Sequence, residues 1–353
     1  MNIVDCYTHN IPRTYLKRLR EVRDVKIQKI REDSEKMCSA KPQMYDPETR
    51  VADLDKYKMA AQVTGNYEGI DPNQLPVDPE KQLDLCRTIN DDMAKMMQDS
   101  HGRIYTLGNV PLSALSVGGL DEMKRAIKDL GLKGFMVITN ARGTPIDRFP
   151  SFWQKAAKLS APVFIHPCNP ASTTCRTYED EYDLVHVFGW PFESTLIISR
   201  LVFSGIIKKN PALRIVTHHA GGMIPFFAGR MNESYHGTPP ADQARGTKGI
   251  YNYRKGKRAR TKSKEIERRP IIEDFGEQLY FDTAIGGNKA AIRCAYEIFG
   301  ASRIVFGTDY PFGPNGGRGR LEAYPGVVRE LGFKSAELDQ IFEGNISNLL
   351  NLS

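Results

Sequence analysis

Residues 2–12 read NIVDCYTHNIP, a short apolar run that ends in Tyr7, Thr8, His9 and a proline turn. On a strand, side chains two apart share a face, so Tyr7 and His9 are expected to point the same way. The same construction recurs down the chain. Short apolar runs stand at QVTGN (62–66), IYTLGNV (104–110), GFMVITN (134–140), PVFIH (162–166), RIVTH (214–218), LYFDTA (279–284) and RIVFGTD (303–309). Between most of them lie helical patterns. Met123, Ala126, Ile127 and Leu130 recur at helical spacing, as do Leu85, Ile89, Met93 and Met96. Asp78 before Pro79 reads as an N-cap followed by a first-turn proline.

Strands that alternate with helices, and are apolar on both faces, predict a (β/α)₈ TIM barrel. A doubly wound open sheet is disfavoured because no glycine-rich phosphate loop follows any strand. The chain of 353 residues suits one such barrel, expected to span 1–353. A composition break at 234–275, with Pro239-Pro240 and Pro270, reads as an insertion after strand six that distorts the barrel. Residues 245–269 carry a local net charge of +9 against +7 for the whole chain, so the remainder carries −2. The basic character therefore belongs to one segment. It is read as a solvated loop that makes subunit contacts or covers the barrel mouth, and nucleic-acid binding through RKGKRARTKSK is the disfavoured alternative.

The six cysteines are scattered without a C-x-x-C pair, which predicts reduced thiols. With no signal-peptide pattern and no apolar run of membrane-spanning length, a cytoplasmic protein with no membrane partner is expected. There is no P-loop and no G-x-S-x-G elbow.

In a barrel, chemistry sits at the C-terminal ends of the strands. Strand one ends in Tyr7 and His9, strand five in His166, strand six in His218-His219, and strand eight in Asp309. Each alone is more often a hydrogen-bonded structural residue or, for the aspartate, an N-cap or turn residue. Together, imidazoles and a carboxylate from separate strands form a set suited to a divalent metal with open positions.

The ordered set D-x-Y-x-H, F-I-H-P, T-H-H-A-G-G and G-T-D-Y-P-F resembles the amidohydrolase superfamily, in particular its branch around aminocarboxymuconate-semialdehyde decarboxylase. Flanking stretches agree, among them GWPFESTLIISRLVFSGI (189–206), PALRIVTHHAGGMIPFFAGR (211–230) and the closing EGNISNLL. The resemblance implies one divalent metal, zinc first with manganese or iron as alternatives, held by His9, His166 and Asp309. It implies that His219 is the catalytic histidine acting on a water at the metal, and that Asp309 also delivers a proton. Arg230 would meet the substrate carboxylate of a neighbouring subunit in a homodimer, and Lys41 stands where a second carboxylate-binding arginine is expected. His186 stands where that decarboxylase has a tryptophan in the pocket, and His218 is expected beside the substrate.

Tyr7 departs from the pattern, since that decarboxylase has histidine there and related hydroxybenzoate decarboxylases have glutamate. As a neutral phenol it is a poor ligand and is expected to donate a hydrogen bond to the substrate. The expected activity is non-oxidative decarboxylation of a small aromatic or unsaturated carboxylic acid. The alternative is hydrolysis of a lactone, amide or carbon–carbon bond within the same superfamily. ITNARG at the end of strand four offers no lysine for a bridging ligand between two metals, which favours a mononuclear site.

Overall fold

The computed structural model describes residues 2–168, 182–236, 271–276 and 278–352. Eight parallel strands are present: β1 Val4–Asn10, β2 Ala61–Asn66, β3 Ile104–Thr106, β4 Phe135–Ile138, β5 Val163–His166, β6 Ile215–Thr217, β7 Leu279–Asp282 and β8 Ile304–Val305. Each falls within or against one of the expected apolar runs. They pair in two continuous stretches, β1-β2-β3 and β8-β7-β6-β5-β4. Two parallel bridges, Thr8 to Tyr310 and Gly108 to Phe135, join the stretches at both ends. Across the first junction, Cys6 N donates to Phe306 O (2.8 Å), His9 N to Tyr310 O (2.8 Å) and Asp309 N to Tyr7 O (3.0 Å). Across the second, Met136 N donates to Gly108 O (3.0 Å). The ring is thereby closed, and the architecture is a (β/α)₈ barrel. A register shift between Asp5 and Thr8 of β1 and the brevity of β8 account for its distortion.

The period of two along the strands sets the vertical order of the interior. Val4, Val63, Leu107, Met136, Phe164, Val216 and Val305 form one apolar cluster with Tyr7. Phe164 lies two residues before His166 on β5, so this apolar side chain supports a histidine on the same face of its strand. Helices cover the outside. Leu85, Ile89, Met93 and Met96 of the helix Pro79–Asp99 are all buried. Its predicted cap is formed, with Asp78 accepting from Lys81 N. Met123 and Ala126 are buried, while Ile127 and Leu130 pack against the core half-buried.

Arg50 is fully buried and fixes the end of β1, its guanidinium donating to His9 O and to Gln43 O. Residues 237–270, the bulk of the expected insertion between β6 and β7, lie outside the described residues, as does Cys175. The other five cysteines are unpaired. No helix among the described residues is long and apolar enough to cross a membrane.

Candidate active site

Four imidazoles meet at the C-terminal mouth of the barrel. His9 comes from β1, His166 from β5, and His218 and His219 from the turn directly after β6. Ring centroids stand 4.9 Å apart for His9–His166, 5.0 Å for His166–His218 and 3.7 Å for His218–His219. Burial, reinforced by the neighbouring imidazoles, holds His166 and His219 well below the ordinary histidine range and lowers His9 as well. These three are neutral at pH 7 and carry free lone pairs, which is the form that ligates metals. Nδ1 of His9 and Nδ1 of His219 are buried with no hydrogen-bond partner among the described residues, and Nε2 of His9 and of His218 have only the Asp309 carboxylate beside them, at 3.1 and 3.6 Å. So many unmatched buried nitrogens at one point are costly unless something binds them.

Two of the rings are oriented from behind. His166 Nδ1 lies 2.5 Å from Pro167 O, and His218 Nδ1 lies 2.5 Å from Asp282 Oδ2. In both rings Nδ1 is thereby occupied and Nε2 faces the cluster, the arrangement in which an outer carboxylate or carbonyl fixes a metal-ligating tautomer. Asp282 is itself held in place, its Oδ1 accepting from Ala220 N (3.0 Å) and Ala284 N (3.2 Å). Burial acts to lower His218, but the Asp282 carboxylate outweighs it and lifts the group to about 9. Asp282→Asn is expected to weaken manganese binding about 10–100-fold, as loss of such an outer partner does; a Mn(II) titration of the two proteins reads the difference.

The chain after β6 explains why small residues follow His219. His219 and Ala220 lie at φ 55° and 54°, followed by Gly221 and Gly222 at 79° and 63°. A Cβ on Gly221 would stand 2.5 Å from the Phe281 ring, and one on Gly222 would stand 2.4 Å from Pro191 O. This tight left-handed turn swings His219 back beside His218.

Two carboxylates approach the imidazoles. Asp309 Oδ1 stands 3.1 Å from His9 Nε2 and 3.6 Å from His218 Nε2, while Oδ2 accepts from Arg320 (2.6 Å). Burial would raise this carboxyl, but the adjacent imidazoles, His218 first, hold it well below the usual range. The second carboxylate is Glu68, from the turn after β2. Its Oε2 lies 3.8 Å from both His9 Nδ1 and His166 Nε2. Burial pushes Glu68 up to about 8.

Tyr7 points into the barrel, as its spacing from His9 predicts. Its ring stacks on His218 at 3.9 Å and 10°, and its hydroxyl is buried without a partner among the described residues. Burial pushes the phenol well above its ordinary value, so it stays an O–H donor.

The remaining expected residues are more scattered. His218, expected beside the substrate, is fully buried within the imidazole cluster, because the chain leaves β6 one residue earlier, at Thr217. Lys41 places its ammonium 5.0 Å from the Phe312 ring centroid, and Phe312 in turn packs on His9 at 5.5 Å. His186 is half exposed, bonds Asp183 and meets Trp190 edge-on at 4.4 Å; Trp190 reaches His166 at 5.3 Å. The tryptophan that covers the cluster is thus Trp190, one helical turn beyond His186. Arg230 is exposed on the helix Ala228–His236 and forms no ion pair with the cluster among the described residues. Cys168 is hydrogen-bonded to Thr139 and Asn140, and burial pushes its thiol up to about 12, so it is held as the thiol and not the thiolate.

Three residues that contact the cluster were not picked out from sequence: Asp282, Glu68 and Arg320. Asp282 closes β7, so the strand-end test that found Asp309 applies to it equally. Glu68 and Arg320 come from a turn and a helix, where no such test exists.

A family model described as amidohydrolase matches residues 4–352. The chain belongs to the amidohydrolase family. Within that family it is 26% identical over 319 residues to 2-amino-3-carboxymuconate-6-semialdehyde decarboxylase of Dictyostelium discoideum, covering 87% of this chain and 77% of the relative. It is 26% identical over 251 residues to gamma-resorcylate decarboxylase of Rhodococcus jostii, covering 66% and 68%. Among solved structures, this amidohydrolase resembles 5-carboxyvanillate decarboxylase from Sphingomonas paucimobilis, with a TM-score of 0.80 at 17% identity, covering 100% and 99%. It also resembles a dihydroxybenzoic acid decarboxylase from Polaromonas, with bound manganese and 2-nitroresorcinol, with a TM-score of 0.75 at 20% identity, covering 100% and 98%. These named relatives are carboxy-lyases.

Proposed function

We propose that this amidohydrolase is a metal-dependent, non-oxidative decarboxylase of a small aromatic or unsaturated carboxylic acid. The observation that carries the reading is the cluster of His9, His166 and His218, whose ligand atoms lie within 4.8 Å of one another. Asp309 stands against it, and a second triad of His218, His219 and Asp309 shares its edge. The relatives named above act on acids of this class.

The donor set fits a divalent cation. It offers the neutral imidazoles of His9 and His166, the His218 imidazole, which would give up its Nε2 proton on binding a cation, and carboxylates, with no thiolate, which suits manganese, zinc or iron(II). His9, His166, His218 and Asp309 would hold it. Manganese in the Polaromonas structure supports manganese beside zinc as the metal tried first.

A cation held there supplies Lewis-acid stabilisation for the electron pair left as carbon dioxide departs. The rest falls to the chain's own residues. Lys41, poised over Phe312, attracts the substrate carboxylate toward the mouth. Trp190 covers the cluster and excludes water. Asp309, ionised at rest, takes a proton and returns it to the carbon that gives up carbon dioxide, so each turnover breaks one C–C bond and forms one C–H bond. His219, neutral with Nδ1 unpaired, is a proton acceptor beside it. Tyr7 donates its O–H to a substrate oxygen.

A homodimer belongs to the same reading, with Arg230 of one subunit serving the other's substrate. Exposed Phe192, Leu196 and Phe226 support a covered face there, on segments tied together by Met223 N donating to Thr195 Oγ1 (2.8 Å).

The test is carbon dioxide release from a panel of hydroxybenzoic, aminobenzoic and enoic acids with Mn(II) or Zn(II) supplied. Stoichiometric carbon dioxide with loss of the acid supports the proposal. Turnover of lactones or amides with no carbon dioxide from any acid would make the protein a hydrolase. On the best substrate, Tyr7→Phe is expected to lower kcat/KM roughly tenfold, about one neutral hydrogen bond, with metal content unchanged. An unchanged rate would remove Tyr7 from the mechanism.

A further inference from the structure

Glu68 comes nearest to His9 at Nδ1, and Asp309 at Nε2. Glu68 sits in the turn Glu68–Ile70, directly after Tyr67, and is 8% exposed. Its Oε2 has no hydrogen-bond partner among the described residues, and His9 Nδ1 and His166 Nε2 each stand 3.8 Å from it. That is too long for a hydrogen bond. It is close to the separation of two ligand atoms on one ion, about 3–4 Å when each bond is about 2.1 Å.

The distribution of charge points the same way. Asp309 is engaged by the Arg320 guanidinium at 2.6 Å, and Asp282 by His218 at 2.5 Å. Arg50, a buried cation from the helix Pro47–Lys56, spends its donors on the backbone carbonyls of His9 and Gln43 and on Thr8 Oγ1. Glu68 has no ion pair with any lysine or arginine among the described residues; its two close contacts are imidazoles. A buried carboxylate without a counter-ion is unfavourable. A divalent cation between Glu68, His9 and His166 removes that cost and in turn gains an anionic donor that is not shared with an arginine.

We infer that Glu68 is a protein ligand of the metal, joining His9 and His166 from β2. The inference rests on the metal-dependent reading above. It also assigns a function to the turn after β2, which nothing else in the mechanism uses. With Glu68 bound, the first strand does not need a second ligand, and Tyr7 is free to face the substrate.

The experiment compares wild type with the near-isosteric Glu68→Gln. Mn(II) binding is followed by the EPR signal of the free ion, and thermal unfolding is recorded with Mn(II) and after chelation. Wild type is expected to bind about one Mn(II) and to unfold at a higher temperature with it. The variant is expected to bind more than about 100-fold more weakly, beyond the 10–100-fold that loss of an outer partner costs. After chelation its midpoint is expected to match or exceed that of wild type, because glutamine fills the same space without an ionisable group to desolvate. Weakening of 100-fold or less, or a chelated midpoint more than about 10 °C below wild type, would make Glu68 an outer or structural residue and overturn the inference while leaving the metal reading intact. Failure of wild type itself to bind Mn(II) would overturn both.

Discussion

His166→Ala is expected to reduce bound manganese or zinc to background and to lower kcat/KM by about 10³–10⁵-fold. His166 is the central member of the cluster, with His9 at 4.9 Å and His218 at 5.0 Å on its two sides. Its Nδ1 is occupied by Pro167 O, so its Nε2 lone pair has no other use. Lewis-acid stabilisation contributes several kcal/mol to the transition state, and each 1.36 kcal/mol is tenfold in rate. Alanine leaves Phe164 and the apolar layer beneath it untouched, so the barrel is expected to fold. Elemental analysis, near-UV circular dichroism and carbon dioxide release check the three parts separately. Retained metal with full activity would exclude His166 as a ligand.

Asp309→Asn is expected to keep the fold and part of the metal while lowering kcat about 10²–10⁴-fold, the usual contribution of a positioned proton-transfer group. Asparagine has the same shape, and its Oδ1 can still accept from Arg320. What it cannot do is carry a proton between substrate and solvent. The carboxylate also balances charge: Arg320 stands at 2.6 Å, and His9 and His218 at 3.1 and 3.6 Å. Metal affinity is therefore expected to fall as well, but saturating Mn(II) restores occupancy and leaves the loss in kcat. Recovery of wild-type kcat at saturating metal would remove Asp309 from proton transfer and leave it as a ligand only.

The barrel was legible because parallel strands buried on both faces are written as bare apolar runs, and all eight runs became strands. The strand-end rule also located His9, His166, His219 and Asp309, since a barrel projects chemistry from those ends. It could not separate the roles of His218 and His219. Adjacent residues point to opposite faces only while a strand continues, and this one ends at Thr217 before the left-handed turn through His219 and Ala220. Glu68 and Arg320 were hidden for a different reason. Each reaches the site from a segment without periodicity that could predict its direction, and only the packing of the turn after β2 and the helix after β8 brings them in. Trp190 was masked by His186, whose position in the sequence suggested a pocket residue although its ring lies on the outer side of the tryptophan.

The central claim is that a divalent metal held by this cluster drives decarboxylation. The most direct measurement is the metal content of the purified chain together with carbon dioxide release from its best acid substrate, before chelation, after chelation and after Mn(II) or Zn(II) is returned. About one metal per chain is predicted, with release lost on chelation and restored by the ion. A metal-free chain that releases carbon dioxide at the same rate would contradict the account.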